Sequence, residues 1–277
     1  MDRTRQQELA KQFRALHETG TFVVPNAWDA GSARIIERAG AAAIATSSAG
    51  VSWALGRPDG QNIAREDQRA VVSRIVATVG VPVSADVEGG YGPDPQAVEL
   101  TVREIIAAGA VGINLEDSLA YGVPLFTVEE QAARIAAARA AAASEDVADL
   151  VINARTDVYL FGIAEPGLTP LENVLRRSAA YAEAGADVLF VPGLTDLDVI
   201  AELVRDSPLP INIMVGAGAP SVAELSAIGV RRVSLGSSLA EATYLFVQRA
   251  AQEALQAGTY SLLEDAFADV NGAFSPR

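Results

Sequence analysis

The sequence predicts a closed (β/α)8 barrel, and three observations carry that expectation. Short apolar runs alternate with longer helical patterns eight times along the chain. Continuous apolar strands separated by helices imply a parallel sheet covered by those helices. Several helices end in glycine just before the next strand, as in Ala39-Gly40, Ala108-Gly109, Ala184-Gly185 and Ile228-Gly229, where glycine supplies the left-handed cap that turns the chain back. The length of 277 residues, half of them apolar, suits a single domain of barrel size with a large core.

The elements read in order as follows. Thr21 to Pro25 is the first strand and Asp29 to Ala39 its helix; Ala42 to Thr46 is the second, with Ile63 to Val79 after a polar loop. Pro82 to Val87 leads to Pro95 to Ala108, Val111 to Leu115 to Thr127 to Ala143, and Leu150 to Ala154 to Leu171 to Ala184. Asp187 to Val191, Pro210 to Met214 and Arg232 to Leu235 are the last three strands, followed by Asp196 to Arg205, Ser221 to Ala227 and Leu239 to Gln256. The alanine run Ala136 to Ala143 favours helix over linker. No internal boundary appears, so residues 1–277 form one barrel domain. A further helical stretch, Ser261 to Ala268, is expected to pack on a neighbouring subunit.

Composition narrows the partners. The formal net charge is −14, with Lys11 the single lysine, which argues against nucleic acid and anionic membranes. The chain has no cysteine, hence no disulfide, thiolate nucleophile or Cys-ligated metal. Met1 to Arg14 lacks the apolar centre of a signal peptide, and no apolar stretch approaches the roughly 20 residues of a membrane span, so a cytoplasmic location is expected.

In such barrels the chemistry sits at the carboxyl ends of the strands. Ser84-Ala85-Asp86-Val87-Glu88-Gly89-Gly90-Tyr91-Gly92 and Asn114-Leu115-Glu116-Asp117 both put acids where an apolar run gives way to a loop. Residues two apart on a strand share a side, so Asp86 and Glu88 are expected to project together, with Glu116 one strand spacing away at about 5 Å. Three converging carboxylates call for a positive charge between them, and a hard cation such as Mg²⁺ is the simplest candidate. Thr46-Ser47-Ser48-Ala49-Gly50 is a small-residue turn whose amides suit a carboxylate, Arg155 is a cation for an anionic group, and Asn212 is carried on the seventh strand. Each feature also has a plain structural reading. The acids can be solvated loop residues, Arg155 can pair with Asp157 or Asp117, Ser47 and Ser48 can be ordinary turn residues, and Asn212 can satisfy buried backbone. The one histidine, His17, reads as a surface residue of an amino-terminal helix.

Together these motifs resemble the isocitrate lyase and phosphoenolpyruvate mutase superfamily, from Pro25-Asn26-Ala27-Trp28-Asp29 to Val233-Ser234-Leu235-Gly236. The strongest elements are Thr46 to Gly50, Pro58-Asp59-Gly60, Asp86 to Gly92, Asn114 to Asp117 and Ala154-Arg155-Thr156-Asp157. The resemblance implies that Asp86, Glu88 and Glu116 surround Mg²⁺, with Mn²⁺ as an alternative, and that Asp59 stands beside the metal site. It implies that Ser47 and the amides of Ser48 and Ala49 bind a substrate carboxylate or phosphonate, that Arg155 faces the substrate oxyanion, and that Asn212 contacts substrate. It also implies a homotetramer, a dimer of dimers, in which the eighth helix and the region of about residues 239–270 swap between subunits.

The chain departs from the family in one loop. The lyase branch carries a Lys-Lys-Cys-Gly-His signature after the fourth strand, whose Cys is the acid. Here the matching stretch is Ser118-Leu119-Ala120-Tyr121-Gly122-Val123-Pro124-Leu125-Phe126, without Cys, Lys or His. The Lys and Asn favoured by the mutase and phosphonopyruvate hydrolase branches are missing as well. Tyr121, Tyr91 or a water are the remaining candidates for the acid. The expected activity is Mg²⁺-dependent carbon–carbon cleavage of a short 2-oxo or 2-hydroxy acid, by a lyase or decarboxylase. Phosphorus–carbon chemistry and a catalytically silent 2-oxo acid binding protein are the alternatives.

Overall fold

In the computed structural model, residues 2–119, 124–264 and 270–275 are described. All strand pairs are parallel, in the order β1-β9-β8-β7-β6-β5-β4-β3-β2. The strands are β1 (Phe22–Val24), β2 (Asn26–Ala27), β3 (Ile44–Thr46), β4 (Val83–Asp86), β5 (Gly112–Glu116), β6 (Val151–Arg155), β7 (Val188–Phe190), β8 (Ile211–Met214) and β9 (Arg232–Ser234). β1 and β2 are the two halves of the first expected strand, interrupted at Pro25, which has no N–H to donate to a ladder. β1 pairs with β9 and β2 with β3, so the broken strand closes the ring. The expected barrel of eight strand positions is therefore observed.

The outer helices fall close to their expected places because sequence signals start and stop them. Thr127 caps the helix Val128–Ser144 and Glu130 returns a bond to the Thr127 amide; Thr169 with Glu172 and Ser221 with Glu224 repeat the device. Val128–Ser144 turns Ile135, Ala138, Ala141 and Ala142 inward, so its alanine run is a packing surface. The Thr46 to Gly50 segment differs from expectation: Ser47 is the N-cap of a short helix, Ser48–Ala54, rather than part of an open turn. At the carboxyl end, Ser238–Gln252 is helical, and only Ser261–Leu263 of the expected Ser261 to Ala268 helix is seen, as a tight 3-10 turn; residues 265–269 lie outside the described residues.

The floor of the barrel is closed by the amino-terminal helix Arg3–Ala15, which buries Leu9, Ala10 and Phe13. Gln6 Nε2 donates to the carbonyls of Ile106 and Ala110 at 2.8 and 2.9 Å and anchors this plug. Phe13 comes so close to β5 that a Cβ on Gly112 would stand 2.7 Å from its ring, which explains glycine there. His17 is a correction to the sequence reading. It sits past the helix end, only 7 % exposed, edge-on to Phe13 and Phe22 at 4.9 and 4.8 Å. Its Nδ1 donates to the Phe13 carbonyl at 2.8 Å, while Nε2 has no partner. Burial first, and then the Arg232 charge, lower its pKa from 6.5 to about 3.

Candidate active site

A cavity of about 320 Å³ opens at the carboxyl ends of the strands. Of the predicted site residues, Ser47, Ser48, Ala49, Asp59, Asp86, Arg155 and Asn212 line it. Glu88 and Glu116 do not, and Tyr121 lies outside the described residues.

The acids are tied down individually. Asp86 ends β4, where its Oδ1 accepts from Asn114 Nδ2 at 3.0 Å and from the Glu88 amide at 3.1 Å; its Oδ2 accepts from the Ser48 amide at 3.3 Å. One of the helix amides read as a carboxylate holder thus already serves Asp86. Glu88 does not continue the strand alternation: β4 stops at Asp86, and Glu88 takes a left-handed backbone with φ of 50°. That turn swings its carboxylate to the Gln61 amide, and Tyr91 donates to its Oε1 at 3.5 Å. Burial, then the Asp86 charge, raise the Glu88 pKa to about 7. Asp59 is raised for the same two reasons, in the same order, and its Oδ1 is buried without a hydrogen-bond partner.

Glu116 and Arg155 are register partners on β5 and β6, so an ion pair between them at 2.9 Å follows from the ladder. Arg155 also holds Asp157 through Nε at 2.6 Å and Nη2 at 3.2 Å, which bears out pairing with Asp157; Asp117 instead pairs with Arg177 at 3.1 Å. The Ser118 Oγ stands between Glu116 and Asp157, 3.0 and 3.1 Å from their oxygens, and its one hydroxyl hydrogen serves one of them at a time. Burial opposes the Arg155 charge, yet Glu116 and Asp157 outweigh it and hold its pKa above the usual value. Burial raises the Glu116 pKa well above its usual value; Arg155 opposes that rise, and Asp157, Asp86 and Glu88 add to it.

No three acidic or histidine side chains stand in a metal-holding group among the described residues. The chemistry of the donor set nevertheless suits a hard cation. All the donors are oxygens, Asp86 raises the pKa of both Asp59 and Glu88 by repulsion, and one Asp59 oxygen lacks a partner. Mg²⁺ keeps several waters and needs only one or two direct carboxylates, as a set of this kind offers.

Other residues of the site were not singled out in the sequence. Arg134, buried on the helix Val128–Ser144, grips the Gly89-Gly92 turn, donating to the carbonyls of Gly89, Gly92 and Pro93, with its guanidinium 4.2 Å above the Phe126 ring. Gly89 is needed there, since a Cβ would meet the Ser118 carbonyl oxygen at 2.3 Å. Gln68 Nε2 supports the Asp86 carbonyl at 2.7 Å. Arg232 and Ser234, on β9, line the inner end of the cavity. Arg134 and Gln68 read as ordinary helix-surface polars, and the only hint at Arg232 is a charge opening an apolar strand.

Comparison with known proteins bears on this arrangement. The phosphoenolpyruvate phosphomutase family profile matches residues 13–255. The chain belongs to that family. It is 37 % identical over 226 residues to an uncharacterized protein of Mycobacterium tuberculosis, covering 81 % of each chain. It is 33 % identical over 234 residues to 2,3-dimethylmalate lyase of Eubacterium barkeri, covering 79 % of this chain and 77 % of the lyase. Among solved structures it is similar to a putative lyase/mutase from Burkholderia cenocepacia, with TM-score 0.90 and 40 % identity over 99 % of this chain and 98 % of the other. It is also similar to phosphonopyruvate hydrolase in complex with oxalate and Mg²⁺, with TM-score 0.82 and 26 % identity over 95 % of each chain. The superfamily resemblance read from the motifs is thereby established.

Proposed function

We propose that this protein is a Mg²⁺-dependent enzyme that cleaves a carbon–carbon bond in a short 2-oxo or 2-hydroxy carboxylic acid. The observation that carries the reading is the joint placement of Asp86, Asp59, Ser47, Arg155 and Asn212 around one cavity. The relative named 2,3-dimethylmalate lyase and the related hydrolase bound to oxalate and Mg²⁺ support it.

Asp86 and Asp59, with Glu88 and Glu116 as acidic neighbours, are the oxygen donors for Mg²⁺ or Mn²⁺. When bound, the cation supplies positive charge for the negative charge that develops on a substrate oxygen as the bond breaks. Ser47, the Ala49 amide and Arg155 hold the substrate carboxylate, and Asn212 faces it from the opposite wall. Arg155 is a permanent cation, and its ties to Glu116 and Asp157 fix its plane before substrate arrives. The stretch after Glu116 carries no Cys, Lys or His, and its Ser118 hydroxyl is engaged with Glu116 and Asp157. A reaction in which CO₂ or another stable fragment departs without a protonated leaving group therefore suits the site best. The test is an assay of the purified protein with Mg²⁺ and, separately, oxaloacetate, 2-methylisocitrate, 2,3-dimethylmalate and phosphonopyruvate. Carbon–carbon cleavage of at least one carboxylic substrate, abolished by EDTA, is expected. No turnover of any, or cleavage of phosphonopyruvate alone, overturns the reading.

We also propose self-association through the carboxyl-terminal region. Leu245, Phe246, Val247 and Leu255 are 45, 45, 57 and 87 % exposed along this stretch, a run of apolar surface unusual for a monomer. Light scattering at micromolar concentration should report a mass well above the 28.8 kDa of one chain; a monomer would refute it.

A further inference from the structure

Asp86 on β4, Asn114 on β5 and Asn153 on β6 are register partners, so they form one row across three adjacent strands. Register partners share a face of the sheet, and here that face is the barrel interior, since all three line the cavity. They are 9, 7 and 1 % exposed. Interior rows of such barrels are ordinarily filled by branched apolar side chains. Two adjacent amides beside a buried acid are a departure that needs a physical reason.

The hydrogen bonds supply it. Asn114 Nδ2 donates to Asp86 Oδ1 at 3.0 Å, and Asn153 Nδ2 donates to Asn114 Oδ1 at 2.9 Å. The direction of this ladder follows from its acidic end. A carboxylate only accepts, so Asn114 presents its NH2 to Asp86; its oxygen then faces Asn153, which answers with its own NH2. The row stops there, because the β7 partner of Asn153 is Val188, and Asn153 Oδ1 is left buried without a donor. A buried unpaired acceptor is destabilising, so folding stability alone does not favour the arrangement. What the ladder does is fix one acid. Asp86 Oδ1 takes the Asn114 amide and the Glu88 N–H at 3.1 Å, which fills its two lone pairs. Asp86 Oδ2 takes only the Ser48 N–H, at 3.3 Å. The Asp86 backbone is held as well, its N–H donating to Thr46 Oγ1 at 2.8 Å. An amide that accepts through its oxygen donates more strongly through its nitrogen, so Asn153 reinforces the bond that Asn114 makes.

We infer that Asn114 and Asn153 are positioning residues for the cation site: their ladder locks Asp86 with Oδ1 turned into the row and Oδ2 left for Mg²⁺, so that Asn153, acting only through Asn114, tunes cation affinity. The inference rests on the cation site of the proposed function and adds the residues that set its strength.

The test measures cation affinity of the full chain without substrate, from loss of the free Mn²⁺ signal in electron paramagnetic resonance and its return on competition with Mg²⁺. Leucine branches where asparagine does, so Asn114→Leu and Asn153→Leu remove the amides with little change of shape. Asn114→Leu should weaken both cations by about 10- to 100-fold, the usual size for losing a hydrogen-bond partner of a metal ligand. Asn153→Leu should weaken them by less. The double variant should match Asn114→Leu to within about twofold, because the outer amide has no other route to Asp86. In EDTA, Asn153→Leu should unfold close to the wild-type temperature, since it deletes one unpaired acceptor and leaves another on Asn114. Wild-type affinity in either variant overturns the inference, and Asn153→Leu carries that test alone where Asn114→Leu does not fold. Losses that multiply in the double variant also overturn it, as the mark of two separate structural effects. So does a lowered unfolding temperature of Asn153→Leu in EDTA. A wild-type protein that binds neither cation sinks the proposed function too; one that binds them and is indifferent to both substitutions sinks the ladder alone.

Discussion

The two walls of the cavity treat buried charge in opposite ways. On the β4 to β6 side, Asp86, Glu116, Arg155 and Asp157 are joined to one another or to amides and hydroxyls by short, charge-assisted bonds. On the β8 and β9 side, Asn212, Arg232 and Ser234 are equally buried, and their polar atoms lack partners. A satisfied network is rigid before any ligand binds, and rigidity is what electrostatic catalysis requires. An unsatisfied wall pays a standing desolvation penalty that a ligand or water must relieve. The first wall has the character of a positioning device and the second that of a receptor.

The largest effect should come from loosening the satisfied wall. Arg155→Lys keeps the charge but loses the planar fork that reaches Glu116 and Asp157 together. With the substrate that proves active, kcat/KM should fall by about 10²- to 10³-fold, the size seen when one donor to a developing oxyanion is removed. Thermal unfolding should show a folded protein, because a cation still faces both carboxylates. Unchanged kcat/KM would make Arg155 a structural tie and leave the two walls alike.

The contrast also marks how far the sequence could be read. The satisfied wall was largely legible, because Asp86, Glu116 and Arg155 end apolar runs and a barrel gathers strand ends. Register was the part that could not be read in advance. Strand alternation placed Glu88 beside Asp86, but the left-handed backbone at Glu88 sends its carboxylate to Gln61 and Tyr91 instead. The receptor wall was nearly silent. Arg232 looks like a charge at the start of a strand, and only the closed ring with its β8 register turns it into the cavity. Arg134 and Arg177 look like helix-surface charges; the first grips the Gly89-Gly92 turn, and the second pairs with the fully buried Asp117. The helices were legible to within a few residues where a capping box or a terminal glycine marks the end, and least so beyond Gln252, where an irregular turn of five residues interrupts the expected helix.

The smallest effect lies below the receptor wall, at the floor, and it separates burial from function. His17 shares the Phe13 cluster with Arg232, whose charge disfavours the protonated imidazole. Its folded pKa of about 3 lies below the unfolded value near 6.5, so the folded state holds His17 neutral while the unfolded state takes up a proton as pH falls. The contribution is therefore fully present above pH about 6.5 and is lost as pH falls from there toward about 3, by ~1.4 kcal/mol per unit within that window. His17→Phe keeps an aromatic ring against Phe13 and Phe22 and removes the titration. Urea unfolding of both proteins at pH 7, 6 and 5 should show the wild type losing stability relative to the variant at each step, since the carboxylates common to both cancel in the difference. Parallel losses would mean that His17 is protonated in the folded state. The floor beneath Arg232 would then already carry a second positive charge, and the unsatisfied wall would hold two buried cations rather than one.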